Sequence, residues 1–130
     1  MMRRDYMPWS FDSSTPLYLQ IMEQIKFRIA VGSYNAGDKL ASVRELAAEA
    51  EVNPNTMQKA LSELEREGLL FTQRTSGRFV TDSAEKITEL RRSLANEQLD
   101  VFLKKMYNLG YDKEEVMRLL QDYIEQEDKA

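Results

Sequence analysis

The chain has 130 residues, 42% of them hydrophobic, and 18 Lys and Arg against 22 Asp and Glu, for a net charge of −4; this suits one small domain with an appendage. It has no cysteine and no histidine, which excludes disulfides and thiolate chemistry and leaves catalysis to carboxylates, Lys, Tyr or Ser, which no spacing assembles into a set. No stretch approaches the roughly 18 uninterrupted apolar residues of a membrane span, and Pro8 with polar residues follows Met1-Met2-Arg3-Arg4-Asp5-Tyr6 where a secretory signal would be apolar, so a cytoplasmic protein off the membrane is expected.

Residues 1 to 14 read as an arm. Tyr6, Met7, Trp9 and Phe11 are too apolar for a solvated tail, so the arm is expected to pack on its own protein or on a dimer mate, with Arg3 and Arg4 able to reach phosphate. A first helix is predicted with Thr15 as N-cap and Pro16 at N1. Its buried stripe is Tyr18, Ile21, Met22, Ile25 and Ile29, and Gly32 ends it.

Two shorter helices follow, separated by Glu51-Val52-Asn53-Pro54. The first opens on a capping box, Ser42 with Glu45 three residues on, and places Val43, Leu46, Ala47 and Ala50 on one face. The second has Asn53 as N-cap and Pro54 at N1, where the missing N–H costs nothing. Met57, Ala60, Leu61 and Leu64 make its buried stripe. Near its start the opposite face carries Asn55, Thr56, Gln58 and Lys59, all able to hydrogen-bond base edges or phosphates. A recognition helix presents this chemistry in the major groove; an ordinary solvated face presents it too.

Gly68 stops that helix as a C′ glycine does. Leu69-Leu70-Phe71-Thr72-Gln73-Arg74 has strand content, and after Thr75-Ser76-Gly77 the chain returns as Arg78-Phe79-Val80-Thr81. The product is a two-stranded wing with Arg74 and Arg78 near its tip, placed to clamp a phosphate backbone or enter the minor groove.

The order helix, turn, helix, wing resembles the DNA-binding domain of the GntR family of bacterial transcription regulators. The resemblance rests on Pro16-Leu17-Tyr18, Gly37-Asp38-Lys39-Leu40, Ser42-Val43-Arg44-Glu45-Leu46-Ala47, Val52-Asn53-Pro54-Asn55-Thr56 and Glu65-Arg66-Glu67-Gly68-Leu69. Two positions depart from the family's pattern: Ala41 stands where Pro usually precedes Ser-Val-Arg, and Thr75-Ser76-Gly77-Arg78-Phe79-Val80 has one glycine fewer than the usual wing. The resemblance implies DNA contacts from Arg44, from Asn53, Asn55, Thr56, Gln58 and Lys59 around the recognition helix, and from the wing near Gly77. Base reading is expected from Asn55, Thr56, Gln58 and Arg44, and phosphate positioning from Lys59, Arg74 and Arg78. The alternative for Arg44 is a surface salt bridge to Glu45 or Glu49, worth little; for Asn53, capping alone suffices.

Charge divides along the chain. Through residue 81 there are ten Lys and Arg against ten Asp and Glu, and beyond it eight against twelve, so the acidic surplus lies wholly in the C-terminal part, expected to face away from DNA. That part reads as two helices. Asp82 with Glu85 starts a long one that reaches about Asn108 before Gly110, and Asp112 with Glu115 starts the last. Ile87, Leu90, Leu94, Val101 and Phe102 trace one apolar face of the long helix, Leu99, Leu103 and Met106 a second, and Val116, Leu119, Leu120, Tyr123 and Ile124 a stripe on the last. A lone helical hairpin buries only its facing stripes, so a second subunit is implied, with Ile87, Leu90, Leu94, Val101, Phe102, Leu119 and Tyr123 at the interface. So short a C-terminal part resembles the YtrA subfamily of GntR regulators. That resemblance implies repression of nearby transporter genes.

The expected fold is mainly α with a small β-wing: an arm over 1–14, a winged helix-turn-helix over 15–81 and a C-terminal helical dimerisation hairpin over 82–130. The expected protein is a homodimeric repressor on a pseudo-palindromic double-stranded DNA operator, without cofactor or metal; Glu63, Glu65 and Glu67 read as a solvated face. Two rivals stand beside it. In one, Trp9, Tyr107, Tyr111 and Tyr123 line an aromatic pocket at the dimer interface and bind a small effector. In the other, the helix-turn-helix has lost DNA and serves protein interaction.

Overall fold

The computed structural model describes residues 8–129; the expectations for Arg3, Arg4, Tyr6 and Met7 lie outside them. Among these residues the elements run α1 Leu17–Ala30, α2 Val43–Ala50, α3 Pro54–Arg66, β1 Leu70–Gln73, β2 Gly77–Val80, α4 Ala84–Asn108 and α5 Lys113–Lys129. They form two compact units, the first ending at Arg92 and the second beginning at Ser93, so the division falls inside α4.

The core of the first unit follows from the spacing of its aliphatic residues. Ile21, Ile25 and Ile29 recur every fourth position along α1, and Met57, Leu61 and Leu64 hold the corresponding positions on α3; all six are less than 2% exposed. Leu46, Ala47 and Ala50 of α2 and Leu70 and Val80 of the sheet complete the cluster. Each of the Val, Leu, Ile and Met side chains contributes about 1.5–3 kcal/mol on burial, and together they fix α3 against α1 and α2. Lys26 of α1 adds an ion pair to Glu67 at 2.8 Å, just past the end of α3.

Local capping sets the helix-turn-helix. Glu45 N–H donates to Ser42 Oγ at 3.2 Å and Ser42 N–H donates to Glu45 Oε1 at 3.1 Å, a complete capping box for α2. Glu51 ends α2 in the left-handed region at φ 57°. Asn53 then starts α3, its Oδ1 accepting from Asn55 N–H at 2.7 Å.

Two other caps differ from expectation. Pro16, not Thr15, is the N-cap of α1, with ψ 139° and no side-chain cap. Gln20 Nε2 reaches back from inside the helix and donates to the carbonyls of Thr15 at 2.8 Å and Asp12 at 2.9 Å. Likewise Ser83, not Asp82, caps α4: its hydroxyl accepts from Lys86 N–H at 3.2 Å. Thr81 is buried and its Oγ1 receives the Ser83 N–H at 3.2 Å, a local turn that moves the cap one residue on.

The arm is docked along α1 by side-chain amides. Gln20 Oε1 accepts from Asp12 N–H at 3.0 Å, while Gln24 accepts from Ser10 N–H at 3.2 Å and donates to Ser10 carbonyl at 2.7 Å. Two glutamines four residues apart thus pair with alternate residues of the arm, as a neighbouring strand would. One turn further along α1, the Arg28 guanidinium lies 3.7 Å from the centroid of the Trp9 ring, and Trp9 Nε1 donates to Glu49 of α2 at 3.2 Å.

The first residues of α4 belong to this unit as well. Ile87 and Leu90 pack against the winged-helix core, and Arg91 Nε donates to the Ala30 carbonyl at 3.0 Å. Ile87 and Leu90, expected at a dimer interface, are thus half-buried against the core of their own chain.

In the second unit α4 continues to Asn108, Gly110 turns the chain at φ +98°, and Asp112 and Glu115 form a complete capping box for α5, at 2.9 and 3.0 Å. Leu94, Leu103 and Met106 are half-buried. Val101, Phe102, Leu119, Leu120, Tyr123 and Ile124 are exposed, and Val116 is the one buried residue of α5 among those described.

Candidate nucleic-acid interface

With its apolar stripe seated in the core, α3 has no freedom in which side chains it offers to solvent. Asn55, Gln58 and Lys59 are exposed and Thr56 is half-buried beside them. Gln58 Nε2 donates to Ser62 Oγ at 3.1 Å, one turn on. Lys59 Nζ lies 4.0 Å from the centroid of the Tyr18 ring of α1, so an aromatic face holds its ammonium near the start of both helices. Asn53 is occupied by the capping contact described above.

Arg44 stands exposed in the first turn of α2. The two carboxylates that offered it a salt bridge are engaged elsewhere, Glu45 in the capping box and Glu49 with Trp9. Hydrogen bonds to it from the Ser42 backbone and side chain hold the Glu45 carboxyl below the usual carboxylate range.

The wing pairs β1 with β2 in the register Leu70↔Val80, Phe71↔Phe79, Thr72↔Arg78 and Gln73↔Gly77. Leu70 and Val80 point into the core, and Phe71 and Phe79 stack with ring centroids 5.6 Å apart. The segment before α2 lines the other edge of β2: Val80 N–H donates to Asp38 carbonyl at 2.8 Å and Leu40 N–H to Arg78 carbonyl at 2.9 Å. Arg74 is exposed in the turn. Gly77 closes the wing at φ +112°, and a Cβ there would sit 3.2 Å from Lys39 Cε, so the one wing glycine this chain keeps does two things. It supplies the positive φ and lets Lys39 lie across the hairpin.

Arg78 is not a free cation at the tip. Its Nε donates to Glu65 Oε1 of α3 at 2.8 Å, and its side chain is 17% exposed. Burial pushes the Glu65 carboxyl up, but hydrogen bonds from Arg78 and Thr72, with the charge of Arg78, outweigh it and hold the group below its ordinary range.

Between the wing and the start of α2 lies an open groove of about 660 Å³, lined by Lys39, Ser42, Val43 and Glu45 on one side and Thr72, Ser76, Gly77 and Arg78 on the other. Lys39 and Ser42 were not among the residues singled out as DNA contacts from the sequence. The signal was a lone cation just before a helix cap, and only the fold brings it to Gly77. Of the aromatic set proposed for an effector pocket, Trp9 is engaged within the first unit by Phe11, Arg28 and Glu49. Tyr107, Tyr111 and Tyr123 are exposed residues of the second. Among the described residues no helix is long and apolar enough to cross a membrane, and no group of acidic side chains is placed to hold a metal ion.

Comparison with known proteins agrees with this geometry. The family model for bacterial regulatory proteins of the gntR family matches residues 17–80. The chain is 44% identical over 115 residues to the uncharacterized HTH-type transcriptional regulator YhcF of Bacillus subtilis, covering 88% of this chain and 95% of that protein. It is 40% identical over 105 residues to the HTH-type transcriptional repressor YtrA of the same organism, covering 80% and 81%. Among solved structures, a GntR family transcriptional regulator from Listeria monocytogenes matches with a TM-score of 0.78 at 40% identity, covering 86% of this chain and 98% of that one. The DNA-binding domain of AraR, solved in complex with operator ORX1, matches with a TM-score of 0.53 at 26% identity over 58% of this chain and all of that one. From its fold, its helix-turn-helix and these likenesses, the chain belongs to the gntR family of bacterial regulatory proteins.

Proposed function

We propose that this regulator binds a pseudo-palindromic operator as a homodimer and represses transcription by occupying the promoter. The observation that carries the reading is the way α3 is seated: its aliphatic stripe is fully buried, which commits Asn55, Gln58 and Lys59 to solvent at the end of the helix that enters a major groove. The likeness to an operator-bound AraR domain and to the repressor YtrA supports DNA as the partner and repression as the outcome. Asn55, Thr56 and Gln58, with Arg44 from α2, read bases. Lys59, Lys39 and Arg74 meet phosphates on either side of the groove beside the wing. Acting on chromosomal DNA places the protein in the cytoplasm.

The dimer follows from the second unit. Val101, Phe102, Leu119 and Tyr123 are exposed there, and water is a poor environment for so many large apolar side chains. A second copy presents the same stripe, and two-fold pairing covers both.

Footprinting on the chain's own promoter region, and on promoters of nearby transporter genes, at fixed near-physiological salt, tests this directly. Protection of two symmetric half-sites about one DNA turn apart is expected; folded, dimeric protein that protects nothing overturns it. On the site so found, Gln58→Ala should change sequence preference. Lys59→Ala should weaken all sequences alike and flatten the salt dependence by about one unit. Equal, sequence-independent losses from both would refute the division between base reading and phosphate positioning.

A further inference from the structure

A two-stranded hairpin is marginal by itself and takes its direction from what it is packed against. Here the base of the wing is set by the core and by the segment before α2, which reaches outward along the β2 edge to the Arg78 carbonyl and Gly77. At the pair beyond Phe71 and Phe79, Thr72 of β1 and Arg78 of β2 face each other across the ladder. Both donate to the same oxygen, Oε1 of Glu65 in the last turn of α3. One carboxylate oxygen therefore ties both wing strands to the helix whose other end meets DNA. The pair is partly sheltered, at 17% and 30% side-chain exposure, which leaves it less screened than a surface ion pair.

We propose that Glu65 is a positioning residue for DNA recognition, fixing the angle of the wing to α3, and that Arg78 serves binding through this clamp and not as a phosphate cation. The proposal rests on the reading that α3 and the wing contact the operator together. With the clamp intact, the wing keeps a single direction, so Arg74 and Lys39 arrive at the backbone in register with α3. Without it, the outer hairpin keeps only its hold on the segment before α2 and loses its tie to α3, so the two contact regions lose their fixed spacing, while the core below Leu70 and Val80 is untouched.

The test is a charge exchange read on two DNA probes: the footprinted operator duplex, and the same duplex shortened to remove the flanks reached by the wing. Glu65→Ala and Arg78→Glu are each expected to weaken binding to the full duplex about tenfold. Both should bind the shortened duplex as the unaltered protein does. The double exchange Glu65→Arg with Arg78→Glu restores the pair in reverse and should return affinity on the full duplex to within about threefold, with an unchanged salt slope. A phosphate-contacting Arg78 predicts the opposite, since the exchange sets a carboxylate against the backbone; an exchanged protein as weak as Arg78→Glu overturns the proposal. So does Glu65→Ala with full affinity, or with equal losses on both probes. Glu65→Gln keeps an acceptor for both donors and should lose less than Glu65→Ala; an equal loss also counts against the clamp. Arg74→Ala and Gln58→Ala separate the two levels of the argument. If they weaken binding and Glu65→Ala does not, the positioning role alone fails; if none of the three matters, the interface reading fails with it.

Discussion

In the unit that ends at Arg92, Ile21, Ile25 and Ile29 of α1 and Met57, Leu61 and Leu64 of α3 are less than 2% exposed, whereas from Ser93 onward Val116 is the one buried residue of α5 and Leu119, Tyr123 and Ile124 stand open. Both units carry helices with regular apolar stripes and well-formed caps. The first closes its stripes on each other; the second leaves much of its own exposed. Helical patterning therefore fixes where apolar residues lie but not what they meet, and the number of elements available to meet them decides. Three helices and a sheet enclose a core, and two helices do not.

The largest effect that sharpens this contrast is expected in the first unit. Leu64→Ala removes a fully buried side chain between α3 and its neighbours and should cost about 2–5 kcal/mol of folding stability, read by urea unfolding, with a midpoint shift of the same size at every protein concentration. A smaller effect that depends on concentration belongs to the second unit. Leu119→Asp should leave the first unit folded and weaken self-association by about tenfold or more, since a charge placed in a desolvated interface costs at least ~1.4 kcal/mol. Sedimentation over a range of concentrations checks it, and an unchanged dimer would break the comparison by showing that the exposed stripe has another purpose.

The smallest effect concerns pH. The Glu65 carboxyl is held below its ordinary value near 4.5 in the folded protein, so the folded state favours its charged form. Its contribution is fully present above that ordinary value and is lost as pH falls through the lowered one. Acidification below about pH 4.5 should therefore loosen the wing before the core. Glu65→Gln should remove that part of the pH dependence, measured as amide exchange at Thr72 and Gly77.

What the sequence made legible was local. Ser42 with Glu45, Asn53 with Pro54 and Asp112 with Glu115 each carry their partner within three residues, and each cap formed as read. The buried stripes of α1 and α3 were equally plain because period and composition agree. The features that escaped pair residues distant along the chain. Glu65 with Arg78 looked like a solvated acid and a free wing cation, and Lys39 had no visible connection to Gly77. Ile87 and Leu90 looked like the rest of the α4 stripe, and only the position of α4 relative to the winged-helix core distinguishes them. The cap shifted to Ser83 goes with the local turn in which the buried Thr81 takes the Ser83 N–H.

The docked arm also gives the molecule an optical property. Trp9 is the sole tryptophan of the chain, and its indole touches a guanidinium of α1 while its N–H is held by a carboxylate of α2. Excitation near 295 nm therefore interrogates one place only, the seam where arm, first helix and helix-turn-helix meet. Any event that shifts α2 against α1, including the seating of α2 on DNA, should register there as a change in emission from the native chain with no label attached.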